Sequence, residues 1–203
     1  MINSIYWGNG KIVSGSQDCT IRVWNLETGE CLRTLAGHTG SVNCLDLLDN
    51  IIVSGSSDST VRVWDLHTGQ LIYTLKDQIA DDSDNDICCL QVVPSYNHVV
   101  SGGFDGNIRV WDYSSGKLVD KLTGHTDWVY CLLVAEPYQL QPKSPINDPS
   151  SQEKQVAYSI ISGSWDTTVK IWERMVHNDR RRNRKSKKLS KMFTTTQRVK
   201  KLK

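Results

Sequence analysis

Serine, histidine and aspartate occur together twice in this sequence, in the combination that nucleophilic hydrolases use. The two sets are His38 with Ser54 and Asp58, and His125 with Ser162 and Asp166. In a hydrolase the serine attacks a carbonyl carbon, the histidine accepts its proton, and the aspartate orients the histidine. A catalytic triad is needed once, whereas this set recurs, and no G-x-S-x-G turn accompanies it. We therefore interpret both sets as structural and predict no catalytic residue.

Signatures of cofactor and metal sites do not occur either. The sequence has no Walker loop, no G-x-G-x-x-G after a strand and no H-E-x-x-H. The acidic run Asp81, Asp82, Asp84 and Asp86 lacks the glycine and terminal glutamate of a calcium loop, so we interpret it as a solvated loop. The cysteines lack C-x-x-C spacing and are predicted to be free thiols. The prediction is no cofactor and no metal.

The serine and aspartate positions belong to a fourfold repeat that also contains a tryptophan. In each copy the aspartate precedes the tryptophan by six residues, and the serine precedes the aspartate by four. The members are Ser14, Asp18 and Trp24; Ser54, Asp58 and Trp64; Ser101, Asp105 and Trp111; and Ser162, Asp166 and Trp172. The tryptophans lie 40, 47 and 61 residues apart, and the first two intervals suit blades of four strands.

Short strands must position these residues. Segments such as KIVSGS, TIRVWNL and CLRTLAG are rich in β-branched residues and alternate in polarity. Turn residues such as Thr28-Gly29 and Thr68-Gly69 separate them. The sequence therefore predicts an all-β fold.

The Ser-Gly-Ser-x-Asp and Val-Trp-Asp signatures, with Gly37-His38 and Gly124-His125 upstream, resemble those of WD-repeat β-propellers over residues 1–173. The resemblance implies four-stranded antiparallel blades packed radially around a channel. Blades are expected at residues 2–35, 42–75, 87–122 and 129–172. It also implies that the histidine, serine and aspartate join the tryptophan in a buried hydrogen-bond network, complete in two repeats and partial in the others.

Three departures from the family pattern carry their own expectations. The chain turns basic after TVKIWER, so the fourth blade is predicted to lack its fourth strand. Because WD-repeat propellers usually have about six to eight blades, four blades or partial blades indicate an incomplete ring. Residues 77–86 replace the Gly-His of the third repeat, and the proline-containing polar insertion 139–155 is expected to be disordered.

Charge is divided unevenly along the chain. Residues 174–203 hold thirteen of the 24 basic residues and one of the 22 acidic ones, so residues 1–173 hold 11 basic and 21 acidic residues. We expect a basic, disordered tail with three interpretations left open: a nuclear-localisation signal, non-specific nucleic-acid binding, or a tail without function. The nuclear-signal candidates are Arg180, Arg181, Arg182, Arg184, Lys185, Lys187 and Lys188.

No apolar run is long enough for a membrane span and no signal peptide is recognisable. A cytoplasmic or nuclear location without membrane contact is therefore expected. Nucleic acid is expected to bind, if at all, through the basic tail.

The same resemblance implies that partners bind where the loops converge. Two positions in each repeat would contact them: the residue five positions after the histidine, and the residue before the repeated aspartate, which lies in a turn. The candidate partner-binding residues at these positions are Gln17, Asn43, Phe104, Tyr130 and Trp165, and Trp128, two residues before Tyr130, is expected to share its face. The aromatic ones cluster in the third and fourth repeats, and tryptophan and tyrosine are frequent interface anchors. We predict that they bind other proteins or extended peptides with apolar anchors.

Tight first hairpins and the segment ETGECLRTLAGHTGSV are similar to the propellers of F-box substrate receptors in ubiquitin ligases. Receptors for phosphorylated segments place arginines at the binding positions, and this sequence has none there. The predicted function is a non-catalytic protein-interaction scaffold, with substrate recognition in a ubiquitin-ligase complex as its specific form. The alternative is a nuclear or RNA-associated protein that uses its basic tail.

Overall fold

A computed structural model of the protein describes residues 1–77, 85–136, 155–177 and 192–198. Within these ranges the chain forms four antiparallel sheets of four strands each. It divides into two compact units, Met1–Leu132 with Gly163–Thr168, and Leu133–Ser162 with Val169–Lys203. The fold is the predicted all-β propeller architecture.

Each sheet is built from four strands that are consecutive in the chain. The first contains β1 (Ile2–Gly8), β2 (Lys11–Ser16), β3 (Ile21–Asn25) and β4 (Cys31–Leu35). The second contains β5 (Val42–Leu48), β6 (Ile51–Ser56), β7 (Val61–Asp65) and β8 (Leu71–Leu75). The third contains β9 (Ile87–Val93), β10 (His98–Gly103), β11 (Ile108–Asp112) and β12 (Lys117–Leu122), with a 3₁₀ turn at Pro94–Tyr96. The fourth contains β13 (Val129–Ala135), β14 (Gln155–Ser164), β15 (Val169–His177) and β16 (Met192–Arg198).

The prediction that the fourth sheet lacks a fourth strand is wrong. Strand β16 pairs with β15 in an antiparallel register that runs from Ile171 opposite Arg198 to His177 opposite Met192. The third strand also continues past the expected end at Trp172, and the segment expected to be a disordered tail contains β16. Its sequence MFTTTQR contains three β-branched threonines, which favour strands; the basic residues around it obscured that signal.

The glycine of the repeated Ser-Gly-Ser is required where one sheet meets the next. A Cβ atom on Gly15 would lie 2.6 Å from Val42, and one on Gly55 would lie 2.5 Å from Ile87. Val42 and Ile87 are the first residues of β5 and β9, the first strands of the second and third sheets. A hydrogen bond also joins the first and second sheets at this boundary: Asn3 Nδ2 donates to the Val42 carbonyl at 3.2 Å. The first three sheets are thus held at a close, repeated spacing.

Apolar side chains fill the space between the first two sheets. Val13 and Val23 from the first sheet and Val42 and Leu45 from the second are all buried there. At about 25 cal/mol per Å² of buried apolar surface, such contacts are the main source of the sheets' stability. Leu45, on β5, is therefore covered by the first sheet.

On β1, the first strand of the first sheet, the face that corresponds to the Leu45 face of β5 is not covered. Ile5 lies opposite Ser14 as Leu45 lies opposite Ser54, yet Ile5 is 67% exposed whereas Leu45 is 8% exposed. Trp7 is 73% exposed. Contiguous apolar exposure of this kind marks a surface that associates with another surface.

We predict that the 203-residue chain self-associates through this face. Changing both Ile5 and Trp7 to serine should shift the chain toward monomer without altering the sheets, since both side chains are exposed. Sedimentation velocity over a concentration series measures the shift, with Leu71→Ser, an exposed change on β8, as the control. Association that persists in the double variant would contradict the prediction.

Candidate functional site

The second sheet contains a complete serine, histidine and aspartate network. His38 Nδ1 lies 2.8 Å from Asp58 Oδ2, and His38 Nε2 lies 2.8 Å from Ser54 Oγ. The Trp64 indole donates to the same Ser54 Oγ at 2.9 Å. These distances are the ones that a catalytic triad would show.

Burial distinguishes the network from a catalytic site. The His38 side chain is fully buried and that of Asp58 is 5% exposed, while Ser54 has no exposed surface. A nucleophile needs space for a substrate carbonyl within about 3 Å, and here Trp64 occupies the approach to Ser54. The arrangement is suited to joining the loop of His38 to strands β6 and β7.

Parts of the network recur in the other sheets. The tryptophan indole donates to the serine hydroxyl at 2.9 Å in every sheet: Trp24 to Ser14, Trp64 to Ser54, Trp111 to Ser101, and Trp172 to Ser162. His125 Nδ1 lies 2.7 Å from Asp166 Oδ2. Asp18 of the first sheet instead contacts Arg22 at 3.3 Å in an exposed pair.

Threonine is a member of the network that the sequence interpretation missed. Thr60 donates from both its hydroxyl and its backbone amide to Asp58 Oδ1, at 2.6 and 3.0 Å. Thr20 and Thr168 occupy the same position relative to Asp18 and Asp166 and make the same hydrogen bonds. The repeated Asp-x-Thr spacing was the available signal.

The third sheet replaces the histidine with an ion-pair network around the buried side chains of Arg109 and Asp77. Arg109 Nε donates to Asp77 at 2.9 Å, and its two terminal nitrogens donate to Asp105 at 3.1 and 2.6 Å. Lys121 lies 3.1 Å from the same Asp77 oxygen, and the amide of Asn85 lies 3.0 Å from Asp105 Oδ1. Buried charges are tolerated when they are paired in this way. Sequence reasoning did not find Asp77 and Asn85, because they lie in an insertion without the family's pattern.

Hydrogen bonding controls the ionisation of the turn aspartates. Burial alone would raise the pKa of Asp58, but hydrogen bonds from His38 and Thr60 outweigh it and hold that pKa well below its usual range. The pKa of Asp166 is lowered in the same way, by Thr168 and His125 against the effect of burial. Both carboxylates are therefore ionised across the physiological pH range.

The predicted aromatic residues form one stacked series, which we call the aromatic row: Phe104, Trp128, Trp165 and Tyr130. The ring centroids of Phe104 and Trp128 are 3.9 Å apart, those of Trp128 and Trp165 are 4.8 Å apart, and those of Trp165 and Tyr130 are 6.0 Å apart. Trp165 is 60% exposed and Tyr130 is 54% exposed. The row presents an ordered aromatic surface to solvent.

Other candidate binding residues have different surroundings. Asn43 uses its amide nitrogen inside the protein, donating to Ser57 Oγ and to the Ile87 carbonyl, both at 3.1 Å. Ser57 in turn donates to Asp86 Oδ2 at 2.6 Å. Gln17 is exposed in the first sheet. The structure therefore groups the aromatic candidates and gives Asn43 a bridging position between two sheets.

Some predicted features lie outside the described residues. These are Asp81, Asp82 and Asp84, most of the 139–155 insertion, and all seven nuclear-signal candidates. Among the residues that are described, no three histidine, cysteine or acidic side chains are grouped to hold a metal ion. The described part also has no helix long and apolar enough to cross a membrane.

The protein has four repeated sheets, and in each a tryptophan–serine hydrogen bond joins the second strand to the third. These features define a repeat protein of the propeller class, which presents binding surfaces on its loops. The family profile described as "WD domain, G-beta repeat" matches residues 2–25, 29–65, 69–112 and 116–173. The chain belongs to the WD-repeat family, whose members serve as scaffolds for protein interaction.

Individual relatives match over much shorter stretches. Mitochondrial division protein 1 of Aspergillus clavatus is 51% identical over 43 residues, which are 21% of this chain and 7% of that protein. F-box/WD repeat-containing protein 7 of Drosophila melanogaster is 50% identical over 42 residues, which are 21% of this chain and 3% of that protein. The chain therefore covers less than a tenth of either relative.

A solved structure matches over most of the chain. The computationally designed Ika4 protein superposes with a TM-score of 0.66 at 35% identity, covering 85% of this chain and 91% of that one. The likeness agrees with the four-sheet architecture.

We predict that Asp58→Ala and Trp64→Ala each lower the free energy of unfolding by about 2–4 kcal/mol, because each leaves buried polar partners unsatisfied. Denaturant melts followed by circular dichroism measure the loss. Gln70→Ala, an exposed position in the loop before β8 of the same sheet, is the matched control. Hydrolase activity that Ser54→Ala abolishes without loss of stability would contradict the structural role.

Acid should weaken the network. The folded-state pKa of Asp58 lies below its unfolded value of about 3.9, so the unfolded chain binds the proton first as pH falls. The stabilisation is complete above about pH 5 and is lost progressively below it. We expect the stability of Asp58→Asn to fall less steeply than that of the parent between pH 5 and pH 3. Parallel pH profiles in urea melts would contradict this.

Proposed function

We propose that this chain is a non-catalytic interaction scaffold that holds an extended protein segment against the aromatic row. The observation that supports the proposal is the uninterrupted stacking of the four rings with Trp165 and Tyr130 more than half exposed. Large exposed aromatic surfaces are costly in water and are characteristic of interaction sites.

The geometry of the row favours binding for a second reason. Trp165 N donates to the Trp128 carbonyl at 3.0 Å, so the backbones of the two central residues are already joined. Rings held in this way lose little conformational freedom when a partner arrives, and rigid tryptophan and tyrosine side chains are efficient anchors. Little of the free energy gained from contacts with the partner is therefore lost in ordering the rings.

The non-catalytic assignment has its own support. The serine and histidine with triad-like distances are enclosed in the second sheet, away from any surface that a substrate could reach. The aromatic row contains no serine, cysteine, histidine or carboxylate, and Tyr130 has no histidine beside it in the row to act as a base. A scaffold is consistent with both facts.

Substrate recognition in a ubiquitin-ligase complex is the more specific form of this proposal. It is supported by similarity to an F-box/WD repeat-containing protein over 42 residues. Such a receptor would select an unphosphorylated segment, because the four positions of the row hold no arginine, and Asp86 and Asp127, which lie beside Phe104 and Trp128, would repel phosphate.

The test is selection of binding peptides from a random displayed library with the immobilised chain. Binding should weaken by about thirtyfold or more in Trp128→Ala/Trp165→Ala, as expected for loss of about 2 kcal/mol at a hot spot. The control is Ile72→Ala, an exposed apolar change on β8. Circular dichroism checks that each variant is folded.

Two results would contradict the proposal. One is a library from which the parent chain enriches no peptide. The other is a folded double variant that binds the enriched peptides as tightly as the parent does.

A further inference from the structure

Asp86, the backbone neighbour of Phe104 at one end of the aromatic row, has a carboxylate that is held in place by a chain of hydrogen bonds. The Asp86 carbonyl accepts a hydrogen bond from the Phe104 backbone at 3.0 Å, so the two residues are adjacent. Asn43 donates to Ser57 at 3.1 Å, and Ser57 donates to Asp86 Oδ2 at 2.6 Å. Asn43 is itself fixed to the Ile87 carbonyl. The side chain of Asp86 is therefore oriented before any partner binds.

One oxygen of this carboxylate is available. Within the described part of the chain, Asp86 Oδ1 takes part in no hydrogen bond or ion pair, and Asp86 is partly exposed. Of the other carboxylates near the row, Asp105 is paired with Arg109 and Asp166 with His125, while Asp127 Oδ1 accepts a hydrogen bond from the Trp128 backbone amide. Among the described residues, Asp86 is thus a carboxylate without a positively charged partner at the Phe104 end of the row.

A partner that covers the row and extends past Phe104 also removes water from Asp86. Removing water from a carboxylate without supplying a positive partner is unfavourable. An apolar anchor alone would gain the aromatic contacts but would carry that cost. The best partner therefore combines a flat surface for the rings with a cation for the carboxylate.

We infer that the segment bound by the aromatic row carries an arginine, whose guanidinium lies against the row and pairs with Asp86. The guanidinium is planar and weakly hydrated, stacks on aromatic faces, and matches a carboxylate with two parallel hydrogen bonds. Lysine offers a compact, strongly hydrated charge that stacks less well. This inference rests on the proposed function and adds the chemical class of the partner's anchor, which replaces the purely apolar anchor predicted from the sequence.

The surrounding charge agrees with a cationic partner. Residues 1–173 hold 21 acidic and 11 basic residues, so the repeats attract positive segments. Burial, together with the nearby Asp86 carboxylate, raises the pKa of Cys88 to about 12. Nucleic-acid bases could also stack on such rings, but their phosphates would meet Asp86 and Asp127.

The experiment compares four peptide libraries that differ only in one fixed central residue: arginine, citrulline, lysine or leucine. Citrulline keeps the planar shape of arginine without its charge. Binding to the full 203-residue chain is followed by tryptophan fluorescence and by peptide anisotropy at low and high salt. The protein variants are Asp86→Asn, Trp165→Ala and, as a charge-matched control in an exposed turn, Glu27→Gln.

We expect the arginine library to bind best, with about tenfold weaker binding for citrulline and lysine. Asp86→Asn should weaken arginine peptides about tenfold, should barely affect citrulline peptides, and should reduce the salt dependence. Glu27→Gln should leave binding unchanged. Trp165→Ala should weaken binding of every library.

The outcomes separate the two proposals. Leucine peptides that bind as well as arginine peptides, with loss in Trp165→Ala, would overturn the arginine inference and leave the proposed function intact. Arginine peptides that respond to Asp86→Asn but not to Trp165→Ala would overturn the role of the row. Preference for phosphoserine peptides or single-stranded RNA, tested as separate probes, would overturn the inference about charge.

Discussion

The hydrogen bond from a tryptophan indole to a serine hydroxyl is the interaction on which each sheet depends. It has the same length, 2.9 Å, in all four sheets, and it joins the second strand to the third inside the sheet. Because both groups are buried in the second sheet, losing either one leaves the other without a partner, which costs more than the bond itself contributes. In that sheet His38 and Asp58 extend the same network to the loop that follows the preceding sheet.

The third sheet shows that the position matters more than the chemistry that fills it. Arg109 and Asn85 contact Asp105 where the second sheet has a histidine, and Asp77 pairs with Arg109. Both solutions place hydrogen-bond donors on the turn aspartate and keep it ionised: the pKa of Asp105 is lowered because hydrogen bonds from Arg109 and Asn107 outweigh burial. A loop of different length and composition can therefore support the same turn.

Local periodicity made the sheets predictable. Features that depend on contacts between residues distant in sequence could not be predicted. The offsets between serine, aspartate and tryptophan predicted every third strand, because strands and turns are encoded over a few residues. The buried pair of Asp77 and Arg109 joins positions 32 residues apart, and no local pattern reveals it. Strand β16 was missed because its threonines lie among basic residues that favoured a disordered interpretation. The offsets also placed the aromatic candidates on one surface, but their stacking order depends on side-chain packing between sheets.

The residue before each turn aspartate lies next to a residue that holds the turn by hydrogen bonds, and its own type differs from sheet to sheet. Gln17, Ser57, Phe104 and Trp165 all occupy this position, while the aspartates that follow them hold the turns. A mutation there alters what a partner meets and leaves the hydrogen bonds of its neighbour in place. Such an arrangement separates selection for a stable protein from selection for a new partner, so that a duplicated gene could acquire different binding specificities by single substitutions without first being stabilised elsewhere.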